Sequence, residues 1–414
     1  MVERPHRRDE PAFHRLAAAL RNPRLRPAVL VLPLAAFILV TFVAPLLVML
    51  GRSVHDPMVA DALPETLGLL RSWDGKRVPP EAVFETMARE LLKARREKSL
   101  GRIATRVNRV QAGLRSVLMK SVRRLRGAQP PDSWREAMIA LDPKWGQTRT
   151  WHAIRRAGER FTLRHYLHAL DMDQAPGGGI IRQPPDLRIY LPLLRRTLAV
   201  SLGITLLCLL LGYPIAYLIA NAPPHRANLL LLLVLVPFWT SLLVRTTSWI
   251  VLLQTQGVIN DLLAAVGLIA DDQRISMIYN MTGTVVAMTH VLLPFMVLPL
   301  FSVMRTIPPL YMSAAASLGA SFLQAFRRVY WPQTLPGVAA GSLLVFILAI
   351  GYYITPALVG GQSGQLISNM VAYHMQQSLN WGLAAALGGI LLGGVFLLYL
   401  VFNRLVGVDR MRLG

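Results

Sequence analysis

Apolar positions along this chain are not spread evenly; they gather into runs long enough to cross a bilayer. A helix of about 20 apolar residues spans a hydrocarbon core about 30 Å thick. Residues 27–51 carry no charged side chain, which predicts a first membrane helix at 28–51. Residues 197–224 are also free of charge, which places a second span near 193–220. A third is expected near 228–253, interrupted by Arg245, and a fourth near 283–304. The stretch 329–403 contains no Asp, Glu, Lys or Arg and is too long for one span. Its polar segment 362–380 divides it into a fifth span near 338–359 and a sixth near 383–402. Only helices satisfy every backbone group of such spans without water. The expected fold class is therefore an all-α polytopic membrane protein of six transmembrane helices.

Between the first and second spans the period changes. Leu100, Ile103, Val107, Val110, Leu114 and Val117 are spaced 3, 4, 3, 4 and 3 apart, with Arg and Lys on the other faces. That is a heptad-like helical stripe, in which Gly101 and Gly113 are expected to introduce bends. From 130 to 185 the pattern is irregular, and 177–179 reads as a hinge or loop. Residues 52–189 are thus expected to form a large, basic, mostly helical insert.

Composition agrees with a membrane class: 53% of the 414 residues are hydrophobic, and the mean hydropathy is +0.43. A net charge of +22 seems at odds with this until it is located. Residues 190–405 hold nine Lys/Arg and three acids, Asp261, Asp271 and Asp272; residues 52–189 hold 26 Lys/Arg and 15 acids. Basic loops beside membrane spans are usual, and no recognised nucleic-acid module accompanies the charge, so no nucleic-acid partner is expected. The single cysteine, Cys208, excludes an intramolecular disulfide and a cysteine-rich zinc site. The first apolar run is long and lacks a small-x-small cleavage site, so it reads as an uncleaved anchor.

Lys and Arg in short loops set orientation. With the N-terminus inside, the cytoplasmic tails and short loops hold 14 of them, and the outside loops hold one, Arg274. This predicts cytoplasmic tails at 1–27 and 406–414 and an external insert. Long loops translocate largely regardless of charge, so the basic insert is compatible with that orientation.

Between the fourth and fifth spans lies Ser313-Ala314-Ala315, three residues, Gly319, nine residues, then Val329-Tyr330-Trp331-Pro332. The order resembles the EAA loop of binding-protein-dependent importers, Glu-Ala-Ala, three residues, Gly, nine residues, Ile-x-Leu-Pro. The resemblance extends over about 190–405 and is nearest to the spermidine/putrescine-type permeases of the ABC transmembrane type-1 family. Pro237-Phe238-Trp239-Thr240-Ser241-Leu242-Leu243-Val244-Arg245-Thr246 resembles their third-span motif. Gly257-Val258-Ile259-Asn260, Leu293-Pro294-Phe295-Met296 and 355–361 resemble further segments of that family, and the resemblance does not extend to 52–189.

The resemblance implies a type I ABC importer permease fold, with a core at 190–405 and a cytoplasmic coupling loop at 311–337. It implies that Ser313, Ala314, Ala315, Gly319, Phe326 and Pro332 belong to a short helical plug docked in a groove of the ATPase. Ser313 stands where the family usually has Glu, and Val329 and Trp331 replace Ile and Leu; Glu-based coupling is not carried over. The implied partners are two ATP-binding subunits, a second permease subunit, a periplasmic solute-binding protein and the lipid bilayer of a bacterial inner membrane. No cofactor is expected on this chain; ATP and Mg belong to the partner ATPase.

The residues themselves contain no G-x-x-x-x-G-K-[ST] phosphate loop, no H-E-x-x-H and no G-x-S-x-G. Gly360-Gly361-Gln362-Ser363-Gly364 reads as a turn between two spans. Arg245 is the one charge well inside a span. Such a residue faces a water-filled path or the bundle, or snorkels to the surface, and both readings stay open. Trp239, Tyr352 and Tyr353 are the other candidate pathway residues; His290 reads as a hydrogen-bonded core histidine. Two other functions compete: a secondary transporter or channel subunit with no ATPase partner, which would show charged spans or an inverted repeat, and a membrane-anchored module whose working part is the insert.

Overall fold

The computed structural model describes residues 26–126, 131–175 and 179–406. The tails expected at 1–27 and 406–414 lie outside these residues except for Arg26, Pro27 and Val406, and of the 177–179 loop only Gly179 is described. The chain opens with α1 (Arg26–Ile38), a π-helical turn (Leu39–Val43) and α2 (Ala44–Gly51). It ends with α21 (Trp381–Val406).

Two hydrophobic cores are separate. The first belongs to the insert, built from α3 (Met58–Ala62), α4 (Pro64–Arg71), α5 (Glu81–Arg96), α6 (Leu100–Val110), α7 (Leu114–Leu125), α8 (Trp134–Leu141) and α9 (Thr148–Ala157). Leu100, Ile103, Val107, Leu114 and Val117 are all buried there, as the 3/4 spacing predicts. One continuous bent helix was expected. Instead α6 stops at Val110 and α7 restarts at Leu114, because Gly113 takes φ 89°, a left-handed conformation that favours glycine. Gly101 lies inside α6 and bends nothing. Trp145 and Trp151 fill the centre with their polar ends satisfied: Trp145 Nε1 donates to Ser121 Oγ at 2.9 Å and Trp151 Nε1 to the Trp145 carbonyl at 2.9 Å. Each fully buried large apolar side chain contributes on the order of 1.5–3 kcal/mol, and this cluster is distinct from that of the membrane bundle.

The insert closes at its neck. His55 and Phe161 form an antiparallel bridge, Asp56 N donates to the Arg160 carbonyl at 2.9 Å, and Thr162 N donates to the Val54 carbonyl at 2.8 Å. Beyond the neck, α10 (Arg164–Ala169) leads into an antiparallel hairpin of β1 (Met172–Gln174) and β2 (Ile180–Arg182). This hairpin was not foreseen in an otherwise helical region. Buried Asp171 then caps the next helix: Oδ1 accepts from Ile189 N at 3.1 Å and Tyr190 N at 3.0 Å, and Oδ2 from Leu191 N at 2.8 Å. A carboxylate there satisfies orphan N–H groups and complements the helix dipole.

That helix is α11 (Tyr190–Asn221), the second span. It packs with α15 (Met281–Thr306) and α18 (Trp331–Gly351) around Cys208, Met288, Leu292, Met296, Leu300 and Val345. Approach is close because the contacts are small: a Cβ on Gly341 would sit 2.8 Å from Met296 Sδ, and one on Gly212 would sit 3.1 Å from Met296 Cγ. Among the described residues five helices are long and apolar enough to cross a membrane, or six when α12 (Pro224–Trp239) and the following α13 (Leu242–Leu253) and α14 (Val258–Ala265) count as one broken span.

Two expected spans are corrected. The third is not one helix over 228–253 but turns by 97° at the break after Trp239. The fifth, expected near 338–359, runs earlier, ends at Gly351 and is followed by a separate short helix, α19 (Ile354–Val359). The polar segment beyond it folds into a turn at 361–364 and α20 (Ile367–Gln376), which returns the chain to α21.

Candidate functional site

The bundle has two ends, and contacts along α11 tell them apart. Near its start, Thr197 Oγ1 accepts from Ile367 N at 2.9 Å, and Tyr190 Oη is paired with His374 Nε2 at 2.9 Å. Near its finish, the Ala220 carbonyl accepts from Arg305 Nη1 at 3.1 Å. Tyr213 and Tyr217 meet Phe326, with ring centres 6.3 and 6.0 Å apart. The insert therefore joins one end of the bundle, and 307–330 occupies the opposite end.

That opposite segment is two helical pieces hinged at one glycine. Helix α16 (Leu310–Ser317) carries Ser313, Ala314 and Ala315 and ends in a Schellman motif. Gly319 N donates to the Ala316 carbonyl at 2.9 Å and Ala320 N to the Ala315 carbonyl at 3.0 Å, with Gly319 at φ 83°. Two residues later Ser321 starts α17 (Phe322–Ala325) with a capping box: Ser321 Oγ accepts from Gln324 N at 3.4 Å, and Ser321 N donates to Gln324 Oε1 at 3.1 Å. A π-helical turn, Phe326–Tyr330, leads into α18, whose first turn contains Pro332.

Phe326 stacks between Phe322 and Tyr330, with ring centres 6.3 and 5.7 Å apart. This ladder, together with the Tyr213–Trp331 pair at 5.0 Å, ties the hinged element to α11. The opposite face has no partner among the described residues. Leu318 is 89% exposed, Leu310 and Leu323 are 70% and 71% exposed, and Phe322, stacked on Phe326 by one face only, is still 68% exposed. Leu310 and Leu318 precede the long apolar helix that begins at Phe322, and large apolar side chains clustered there without cover mark an interaction face.

The second set of candidates gathers where two helices are interrupted. Beyond the 97° break, Ser241 precedes α13, and Arg245 lies one turn inside it. Thr246 Oγ1 is 3.4 Å from Thr355 Oγ1 of α19, so this break faces the gap between α18 and α19. In that gap the Tyr352 carbonyl accepts from Ser368 Oγ at 2.6 Å and the Tyr353 carbonyl from Asn369 Nδ2 at 2.8 Å. Irregular backbone at membrane depth persists only where other groups satisfy it or a cavity is lined, and α20 supplies those groups here. The Arg245 Nε is buried with no hydrogen-bond partner among the described residues.

The four candidates separate accordingly. Arg245 lies just beyond the break and Tyr352 in the gap between α18 and α19; Tyr353 is 39% exposed; Trp239 is 70% exposed at the end of α12 and makes no side-chain hydrogen bond or ring pair among the described residues. His290 Nδ1 accepts from Trp249 Nε1 at 3.1 Å, which gives it the core hydrogen bond expected of it. The turn at 361–364 is packed against its neighbours, since a Cβ on Gly361 would meet the Tyr279 carbonyl oxygen at 2.3 Å. Sequence reasoning missed the junction between insert and bundle, where Arg109, Tyr190, His374 and Asn380 meet. The available signal was the polar density of 362–380. Among the described residues no group of three or more His, Cys, Asp or Glu side chains is placed to hold a metal ion.

Residues 227–408 match the family model described as the binding-protein-dependent transport system inner membrane component. The spermidine/putrescine transport system permease protein PotB of Escherichia coli K12 is 36% identical over 221 residues, covering 53% of this chain and 80% of that protein. The protein of the same description from Haemophilus influenzae is 34% identical over 221 residues, covering 77% of its length. The inner membrane ABC transporter permease protein YdcU of Escherichia coli K12 is 33% identical over 202 residues, covering 46% of this chain and 64% of that one. Among solved structures, a bacterial ABC transporter that imports the acidic polysaccharide alginate aligns at 17% identity and a TM-score of 0.44, over 54% of this chain and 80% of that one.

Proposed function

This chain belongs to the family of binding-protein-dependent transport system inner membrane components, and we propose that it takes its motive force through the hinged element at 307–330. It is a multi-pass inner-membrane permease subunit of an ABC importer. The observation that carries the coupling reading is the exposed apolar face of Leu310, Leu318, Phe322 and Leu323, at the bundle end remote from the insert. That face is held rigidly by the Gly319 turn and the Phe326 aromatic ladder. One of two ATP-binding subunits would dock there, and the pair would perform all ATP hydrolysis with their own Mg; a second permease subunit would complete the pathway and hold the other.

The short-loop charge bias supports cytoplasmic termini, with 52–189 on the external side beside the periplasmic binding protein. The core at 190–405 then forms the alternating-access pathway, with the break before Arg245 and the gap at Tyr352 near its constriction. The named relatives support a polyamine of the spermidine/putrescine kind as solute. Apart from exposed Asp261, already paired with Arg274 at 2.7 Å, the described membrane helices bring no carboxylate. Recognition of a polycation would therefore rest mainly with the binding protein.

The test is to purify the chain with its associated subunits, reconstitute it in vesicles, and measure ATP hydrolysis and labelled spermidine uptake with the loaded binding protein. Stimulated hydrolysis with uptake is expected, and Leu318→Asp with Phe322→Asp should abolish both while membrane insertion persists. Uptake by the chain alone, without any ATPase, would favour the secondary transporter or channel. Stimulation by another solute but not by spermidine would overturn the substrate and leave the coupling reading intact.

A further inference from the structure

A cleft of about 680 Å³ lies where the insert meets the bundle, lined among others by Arg52, Arg102, Arg106, Arg109, Asp56 and Trp381. Its size is that of a ligand site. Among its described lining residues the four arginines face a single carboxylate, and that one is committed: Asp56 Oδ2 is 2.9 Å from Arg106 Nε. Among the described residues Arg109 is held by neutral oxygens, Asn380 Oδ1 at 3.0 Å and the Ser378 carbonyl at 2.9 Å. Arg52 and Arg102 form no ion pair among the described residues. Behind them Arg164 donates to the Arg109 carbonyl, and its buried Nε has no acceptor among the described residues. Burial, reinforced by the Arg106 charge, pushes Arg109 down to about 10. Cations gathered without counter-charge leave the cleft with an unmet demand for an anion.

Depth decides which anion. Arg52 follows directly on Gly51, the last residue of the first span, and Trp381 is the first residue of the last span. The Arg52 guanidinium carbon sits 5.8 Å from the centre of the Trp381 ring. The cleft is therefore level with the points at which two membrane helices leave the bilayer, the layer where tryptophan and lipid head groups reside. A planar guanidinium matches phosphate oxygens with paired hydrogen bonds.

We propose that this cleft binds a phosphate group, and that its source is the head group of an anionic phospholipid in the leaflet facing the insert. Lipid seated there would bridge the first span, α6 of the insert and the start of α21, and so fix the insert on the bundle. The proposal goes beyond solute import and does not rest on it.

The test uses the full permease complex in lipid nanodiscs of phosphatidylcholine with and without phosphatidylglycerol, with retained lipid counted by native mass spectrometry. Wild type should retain phosphatidylglycerol in preference to phosphatidylcholine. Arg52→Gln with Arg102→Gln, both exposed and outside the packed core, should weaken that retention about tenfold. The corresponding pair of lysine substitutions should keep most of it. In a second arm, inorganic phosphate is titrated against the loaded complex. Displacement that depends on the same arginines would reassign the source to the free ion and uphold the phosphate site. Equal retention of phosphatidylglycerol in wild type and the glutamine pair would overturn the proposal. Should the glutamine pair fail to fold, wild-type indifference between the two lipids, with no effect of phosphate, overturns it equally.

Discussion

Arg109 Nη1 donates to Asn380 Oδ1 at 3.0 Å, joining residues 271 positions apart in the chain. The bond ties helix α6 of the insert to the residue that precedes the last span. A second bond from the same guanidinium reaches the Ser378 carbonyl. Replacing Arg109 by Leu removes both and leaves the Ser378 carbonyl without this donor. The expected cost is about 1–3 kcal/mol, seen as earlier protease cleavage at the insert neck and a lower unfolding midpoint. Asn380→Ala, which spares the Ser378 bond, should cost less. Equal protease resistance in all three proteins would show that the insert is held by other contacts.

The same junction should weaken in acid. His374 is held down to about 4, by burial and then by the Arg109 charge. His165 is held down to about 3, by burial and then by Arg106, Arg164, His168 and Arg109. In the unfolded chain both titrate at about 6.5. Below that pH the unfolded chain takes up protons that the folded chain refuses, so stability declines as pH falls from about 6.5 towards 4 and 3. A thermal-unfolding series across that window should show the decline, and His165→Asn with His374→Asn should flatten it.

How much of this was legible beforehand depends on whether the deciding signal was local. The spacing of Leu100, Ile103, Val107, Val110, Leu114 and Val117 reports a helical face, here shared by α6 and α7, and all are buried except Val110, which is partly buried at the end of α6. Five of the expected spans correspond to long apolar helices for the same reason. The break after Trp239 was invisible because hydropathy does not change across it; Thr240 and Ser241 are too few to register in a 20-residue run. Tyr352 and Tyr353 hid the second break in the same way. The coupling segment was legible from Gly319 and its spacing, since a Schellman turn has a local sequence signature. The Arg109–Asn380 and Asp171–Tyr190 contacts were not, because each pairs groups brought together only by the whole fold.

Gly319 should be sensitive for a backbone reason. A Cβ there would meet nothing within 4 Å, so crowding inside the chain is not the issue; φ 83° is. Gly319→Ala is expected to cost about 1–2 kcal/mol in the left-handed conformation and to loosen the angle between α16 and α17. ATPase association, measured by co-purification, should fall while membrane insertion is unchanged. Gly319→Asn should be milder, since Asn tolerates that region. Gly319→Leu adds bulk on the exposed face and should be the most severe of the three.

Gly341 should be sensitive for a steric reason. Its Cβ position lies 2.8 Å from Met296 Sδ and 3.2 Å from the Met296 carbonyl oxygen. Gly341→Val would force α15 and α18 apart, with an overpacking cost of about 1–3 kcal/mol. A lower unfolding midpoint of the purified complex is the expected result. Pairing it with Met296→Ala should recover part of the loss.

Arg245 separates transport from assembly. Its Nε is buried at the break without a partner among the described residues. Arg245→Ala should leave subunit assembly near normal and reduce uptake, with Arg245→Lys intermediate. Wild-type uptake in Arg245→Ala would make it a residue of packing alone.

The bridge between His55 and Phe161 makes the insert a detachable cassette. Partners across an antiparallel bridge stand only about 5 Å apart at their Cα atoms, so the hundred-odd residues between them leave and re-enter the chain at nearly one point. A short turn could close that gap without disturbing the first span or α10. Deletion of 57–159 would yield a compact permease, and a foreign domain with adjacent ends could be grafted in its place.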